Sequence, residues 1–200
     1  MAFFSDSATG GFEPKRKFRF LVTFTKLGNM TFMVKSVNKP SYEIKSTEHG
    51  ILNHKFKFPG IVTWKDVSCV FVDAVDPNVG SKFYNALVNS GYLDPINEGA
   101  LATGVTKVGS TNVLGEVHID QLDGGGILLP ETGFDPGDAT YGPDSTQIVE
   151  RWTLKNAWIK SVAFGEGMGY DQEDLVEVKA DIVYDYAKYT PGADMGALKV

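Results

Sequence analysis

The feature that most constrains this chain is a period of two. In "KFRFLVTFTKLGNMTFMVKSV", residues 17–37, Phe18, Phe20, Val22 and Phe24 alternate with Arg19, Leu21, Thr23 and Thr25. After Gly28-Asn29 the alternation resumes, with Phe32 and Val34 against Thr31, Met33 and Lys35. A strand sends successive side chains to opposite faces, so this pattern predicts two strands and a tight turn, each strand with one buried face. The same period returns along the chain. Tyr42 and Ile44 alternate with Glu43, Lys45 and Thr47, and "HKFKF" (54–58) is a short strand closed by Pro59-Gly60. In 63–75, Val67, Cys69 and Phe71 oppose Asp66, Ser68 and Val70. Residues 145–165 read as a long strand or strand pair. In 174–189, Val176, Val178, Ala180, Ile182 and Tyr184 share one face, with Glu177, Lys179, Asp181 and Asp185 on the other.

One helix interrupts the strands. Asp76 or Asn78 can cap it, Pro77 suits its first turn, Phe83 and Leu87 share a face at i, i+4, and Gly91 supplies the stop. Residues 92–146 are rich in Gly, Pro, Asp and Thr and read as a long Gly-rich loop region or an insertion, with a strand in "TNVLGEVHI". Residues 1–14 are small and polar and read as a mobile N-terminal arm. A chain of 200 residues holds one real core. The expectation is a single domain, 1–200: mainly β, an antiparallel β-sandwich or open barrel with one short flanking α-helix.

The chemistry of the sequence excludes more than it offers. A net charge of −6 argues against a surface built to grip phosphates, and the cluster Lys15-Arg16-Lys17 is the solvated end of a strand. The single cysteine, Cys69, forms no disulfide framework, which suggests folding in a reducing compartment, and within its apolar strand it serves as a small hydrophobe. The N-terminus has no apolar run fit for a signal peptide, and nothing approaches the ~20 apolar residues of a membrane span. His49, His54 and His118 lack metal-ligand spacing. "GEGMGY" is a strand-to-strand turn rather than a phosphate cradle. Asp120, Asp123, Asp135, Asp138 and Asp144 form the best candidate for a calcium site, with solvated loop carboxylates as the ordinary alternative. Trp64, Trp152 and Trp158 lie in strand patterns, where core packing is the default over sugar stacking. No catalytic constellation is present, and no cofactor is expected.

Three features in order resemble a known family. They are "VKSVNKPSYEIKSTEHGILNHKFKFPG"; then "TWKDVSCVFVD" with Asp76-Pro77 and "SKFYNAL"; then "WTLKNAWIKSVAFGEGMGYDQEDLVEVKADIVYDYAKY". Together they resemble the tail tube protein of contractile-tailed, myovirus-type bacteriophages, over roughly 15–91 and 147–189. The resemblance implies six subunits in a ring, strands joined into one continuous barrel around a lumen, and rings stacked into the inner tube through which DNA leaves without specific binding. It implies assembly in the host cytoplasm into the virion, with the sheath protein, baseplate and tape-measure protein as partners and no membrane. A baseplate tube initiator, or the tube of a type VI or other contractile injection system, has the same fold; a carbohydrate-binding β-sandwich is the rival from another class. On the tail-tube reading the lumen faces are expected in 30–48 and 174–186, with Lys35, Glu43, Lys45, Glu177, Lys179, Asp181 and Asp185, a small acidic excess. Contacts between subunits or rings are expected at Lys82, Asn85 and Asn89 and at the arm residues Phe3, Phe4 and Phe12.

Overall fold

The computed structural model describes residues 15–28, 30–96, 104–122, 148–165, 167–171 and 173–192. Ten strands and two α-helices run in the order β1 (Phe20–Phe24), a 3-10 turn (Thr31–Met33), β2 (Val34–Val37), β3 (Ser41–Ile51), β4 (His54–Lys65), β5 (Val67–Val72), α1 (Val79–Asn89), α2 (Lys107–Leu114), β6 (Val117–Leu122), β7 (Ile148–Lys155), β8 (Trp158–Ala163), β9 (Glu177–Val183) and β10 (Tyr186–Pro191). They build two four-stranded antiparallel sheets and a ribbon. Sheet A has the order β1-β6-β7-β10, sheet B the order β2-β5-β9-β8, and β3 pairs with β4 alone. The expected mainly β, antiparallel architecture is the one found.

The core lies between the two sheets. Val22, Phe24, Val117, Ile119 and Leu154 come from sheet A, and Val67, Cys69, Phe71, Val178, Ala180 and Ile182 from sheet B, all at most 3% exposed. Their alternation is the period seen in the sequence. Helix α1 adds Val79, Phe83 and Ala86, with the Phe83 ring 5.1 Å from that of Phe71. Its N-terminus is capped twice: Ser81 N donates to Asn78 Oδ1 and Val79 N to Asp73 Oδ1. The cap is therefore Asn78 rather than Asp76, and Pro77, joined to Asp76 by a cis peptide bond, precedes the helix instead of sitting in its first turn.

Several local expectations are corrected. The opening strands do not pair: β1 joins β6 in sheet A and β2 joins β5 in sheet B. A 3-10 turn and the buried Met30 carry the chain across the sandwich instead. Residues 145–165 and 174–189 divide in the same way, β7 and β10 falling in sheet A and β8 and β9 in sheet B. The first break is at Asn156, whose φ of 54° lies in the left-handed region, next to the buried Ala157. The second is at Tyr184-Asp185, where Asp185 N donates to Lys155 O. Pro59-Gly60 does not end a strand, because β4 runs through it to Lys65. Among the described residues two α-helices flank the sheets, where one was expected. The second, α2, is capped by Thr106, whose side chain accepts from Gly109 N. It lies in the Gly-rich region, as does the core strand β6; residues 97–103, 123–147 and 1–14 fall outside the described residues.

Candidate functional site

Two surfaces stand out, the outer face of sheet B and the β3–β4 ribbon. The sheet places Lys35, Glu177, Lys179 and Asp181 together on the side away from the core. Lys35 pairs with Glu177, and Ser161 Oγ donates to Asp181 at 2.7 Å. The Ser161 hydroxyl is the main cause holding the Asp181 carboxyl below its usual range. On Lys35 the hydrogen bond it donates to Glu177, and then that carboxylate's charge, raise the ammonium pKa. Two lysines meet two carboxylates, so the acidic excess counted along the sequence is not present on this face. Glu43 and Lys45 lie on the ribbon, where Glu43 faces Lys65 at 3.5 Å. Asp185 lies at the corner between the sheets, accepting from Lys107 Nζ (2.7 Å) and Asn156 Nδ2 (2.8 Å).

Neither edge strand of sheet B has a second strand partner among the described residues. Among the described residues, β2 bonds only to β5 and β8 only to β9. All three pairings within the sheet are antiparallel. With four strands, β2 and β8 therefore run in opposite directions. An edge strand without a second strand partner is a template for a further strand.

The ribbon is the larger departure from ordinary protein surfaces. Its strands have 11 and 12 residues and are exposed throughout except at Trp64. At ~3.3 Å per residue it reaches roughly 35 Å. It nevertheless carries Tyr42, Ile44, Ile51, Leu52, Phe56, Phe58, Ile61 and Val62 in exposed positions. Its root is tied down: Tyr184 Oη donates to Lys65 O at 2.9 Å, and the Trp64 ring lies 6.0 Å from Tyr184 and 5.4 Å from Tyr42. Burial, then the nearby Asp66 charge, pushes Tyr184 up to about 12, so it stays a hydrogen-bond donor.

A bulge in the ribbon changes which face is apolar. Ile44 pairs with Val62 but Ser46 with Pro59, so Lys45 stands opposite both Gly60 and Ile61. One extra residue in one strand reverses its alternation. Below the bulge Tyr42, Ile44, Val62 and Trp64 share a face. Above it, Ile51 with His54, His49 with Phe56 and Thr47 with Phe58 occupy the opposite face. Glycine is required at the bulge, since a Cβ on Gly60 would sit 2.8 Å from the Lys45 carbonyl oxygen. The tip breaks a second rule: Leu52 is fully exposed and holds φ 56°, a conformation Gly or Asn adopts without strain.

The remaining sequence candidates divide. Lys82, Asn85 and Asn89 come together, with Lys26 and Asn112, in a polar cleft of about 500 Å³ between α1, α2 and the end of β1. Phe3, Phe4 and Phe12 lie outside the described residues. Asp120 is fully buried and held by Arg151 through two bonds of 2.7 Å, so it is a structural ion pair rather than a calcium ligand; Asp123, Asp135, Asp138 and Asp144 are outside the described residues. Cys69 is buried, and burial above all, with Asp181 behind it, pushes its thiol up to about 12, where it is inert. Trp64 and Trp152 pack against the core cluster. No helix of the described residues is long and apolar enough to cross a membrane. The ribbon's length, its bulge and its exposed tip were not read from sequence, although the basic-aromatic alternation of 54–58 and the glycine after Pro59 are the signals that mark them.

No protein-family model and no curated protein sequence matches the chain. Solved structures do. The tube-terminating cap of the anti-feeding prophage superposes with a TM-score of 0.55 at 14% identity, covering 93% of this chain and 99% of that one. The sheath/tube terminator of the extracellular contractile injection system PVC gives 0.56 at 14% identity, covering 90% and 98%. A chain of the PVC sheath-tube complex gives 0.54 at 16% identity, covering 94% and 98%. At these identities the likeness establishes the fold, and it is a fold found in structural components of contractile tubes.

Proposed function

We propose that this chain is a tube subunit of a contractile tail-like particle, a structural protein rather than an enzyme. It forms six-membered rings that stack into the inner tube. The observation that carries the proposal is the open sheet B. Because β2 and β8 run oppositely, a rotation that sets β8 of one copy beside β2 of the next pairs them antiparallel. Repeating the operation extends the sheet without a break in strand alternation, and the ring closes when the last edge meets the first. Backbone hydrogen bonds then satisfy edges that in a lone subunit would invite aggregation.

In this ring the core face of sheet B points outward, and Lys35, Glu177, Lys179 and Asp181 line the lumen. A wall with paired and balanced charges gives passing DNA no continuous basic surface on which its phosphates would settle. The partners follow from the assembly: further copies, a surrounding sheath, a baseplate and a tape-measure protein. The particle is a phage tail ejecting DNA, or an injection particle built on the same tube.

Cysteine pairs test the ring. Ser36→Cys combined with Ser161→Cys or Lys160→Cys places thiols on the two edges, and the buried Cys69 does not compete. Oxidation of one of these pairs gives a covalent ladder ending at six copies, with rings or tubes visible by negative-stain electron microscopy. A protein that stays monomeric when concentrated, and also when offered a purified baseplate, overturns the proposal.

A further inference from the structure

A groove of about 1180 Å³ opens along the side of the sandwich where β1 and β2 are the edge strands. All four residues of β2, from both of its faces, line the groove, so it runs along the strand's unpaired edge. Its apolar side chains are Phe18, Phe20, Val34, Val37, Ile119 and Leu122, with Phe18 75% exposed. The volume exceeds the ~300–1,000 Å³ of small-molecule pockets and suits a length of peptide. The charged rim is basic. Lys15, Arg16, Lys17, Lys35 and Lys39 line it, and the one lining carboxylate, Asp120, is held by Arg151. Lys15 and Lys39 share Glu150, and Lys35 pairs with Glu177. Arg16 and Lys17 have no ion pair among the described residues.

The chain enters β1 from this groove. Arg19 N donates to Arg16 O at 3.2 Å, a turn that reverses the backbone just before the strand. Gln121 Nε2 donates to Arg16 O at 2.8 Å and also to Arg19 O, which ties the turn to β6. Lys15 then reaches Glu150 on β7, two strands in from the edge of sheet A. Glu150 has the parity of Trp152 and Leu154, so it faces inward, between the sheets. Residues 1–14, which lie outside the described residues, are therefore tethered at the mouth of the groove. They carry Phe3, Phe4 and Phe12, and their charged side chains are Asp6 and Glu13, with no Lys or Arg. Phe4 stands 11 positions before Lys15, a reach of up to about 36–40 Å against the ~13 Å length of β2.

We propose that in the free subunit residues 1–14 dock in this groove of their own chain, with phenylalanines on its apolar floor and carboxylates against its basic rim. A short tether sets an effective concentration in the millimolar range, so the segment outcompetes a free peptide of like composition. Docked there it lies along the β2 edge and covers a strand that would otherwise template pairing with any passing chain. The docking stands on the groove alone, and its consequence for assembly rests on the ring reading above. In that ring the same edge receives β8 of the next copy, so segment and neighbour exclude each other. Ring closure then draws only on the undocked fraction of subunits, which raises the concentration it needs by the reciprocal of that fraction.

A photo-crosslinking phenylalanine analogue in place of Phe4, in the dilute full-length chain, tests the docking. It should couple to residues 34–37 or 119–122 of the same chain, and a mixture of isotope-labelled and unlabelled protein should give no adduct between copies. The triple variant Phe3→Ser, Phe4→Ser, Phe12→Ser should raise hydrogen exchange at the outward amides of β2 at least about tenfold. It should also lower the concentration at which the oxidised ladder through β2 and β8 forms at least about fivefold. Adducts that fall elsewhere or on a second copy, or unchanged β2 exchange in the triple variant, overturn the docking. Ladders that form at the same concentration with and without the phenylalanines overturn the competition. Groove adducts together with no ladder in either protein at any concentration overturn the ring reading while the docking stands.

Discussion

Replacing Gly60 by alanine is a perturbation whose cost can be located. The new methyl lies 2.8 Å from the Lys45 carbonyl oxygen and 3.4 Å from its carbonyl carbon. Both are backbone atoms, so relief requires the two strands to part at the bulge. Overpacking of this kind costs about 1–3 kcal/mol. In the free subunit the distal ribbon touches no core residue, and an isolated two-stranded ribbon is marginal in any case. The strain therefore relaxes locally by splaying the tip, and the core does not feel it. Were the cost borne by the cooperative unit, Tm would fall by roughly 2–12 °C for a chain of this size. The expected shift is instead within about 1 °C. On the proposed tube reading assembly behaves differently, because a ribbon that touches a neighbouring copy must recover its native shape. A cost of 1–3 kcal/mol per subunit raises the critical concentration for tubes roughly 5- to 150-fold. Differential scanning fluorimetry and a pelleting series over concentration measure the two quantities on the same samples. Gly50→Ala is the control, since its Cβ meets nothing within 4 Å; it should leave both unchanged. An unchanged critical concentration in Gly60→Ala, or a Tm loss above about 4 °C, refutes the reasoning.

Other expectations concern the core and sheet A. Arg151→Met strands the Asp120 carboxylate in a fully buried site, at a cost of about 3–5 kcal/mol by denaturant unfolding; adding Asp120→Leu should recover most of that loss. Phe71→Ala removes a ring packed between Phe24 and Phe83 and should cost about 3–5 kcal/mol, read as lost soluble yield or a lowered midpoint. His118 has its pKa lowered, first by burial and then by the Arg151 charge. Its folded pKa lies below the unfolded value near 6.5, so the unfolded chain binds the extra proton first. Stability should fall as pH drops below about 6.5 and level off below the folded pKa, and His118→Gln should flatten that slope in denaturant midpoints at pH 7.5 and 5.5.

The period of two determined a great deal. It marked Val22, Phe24, Val67, Cys69, Phe71, Val178, Ala180 and Ile182 as inward-facing, and all of them are in the core, whereas Phe18 and Val176, on the same predicted faces, lie just outside β1 and β9 and are exposed. It also put Glu177, Lys179 and Asp181 on the opposite face, because which side of a strand a residue occupies is a local property of the backbone. The cap and the Phe83 stripe located α1 for the same reason. Pairing is not local. Whether β1 bonds to β2 or to β6 depends on which arrangement buries both inner faces at once, and the alternation is identical in either case. Thus adjacent strands fell into different sheets at Met30, Asn156 and Tyr184. Helix α2, with Gly, Ser, Thr and Asn in "KVGSTNVL", has little intrinsic preference and is held by its tertiary contacts and its Thr106 cap. The edge positions of β2 and β8, and the departure of the ribbon from one end of sheet B, exist only once the sheet order is set. Neither can be read from any window of sequence, because each joins residues that only the folded chain brings into register.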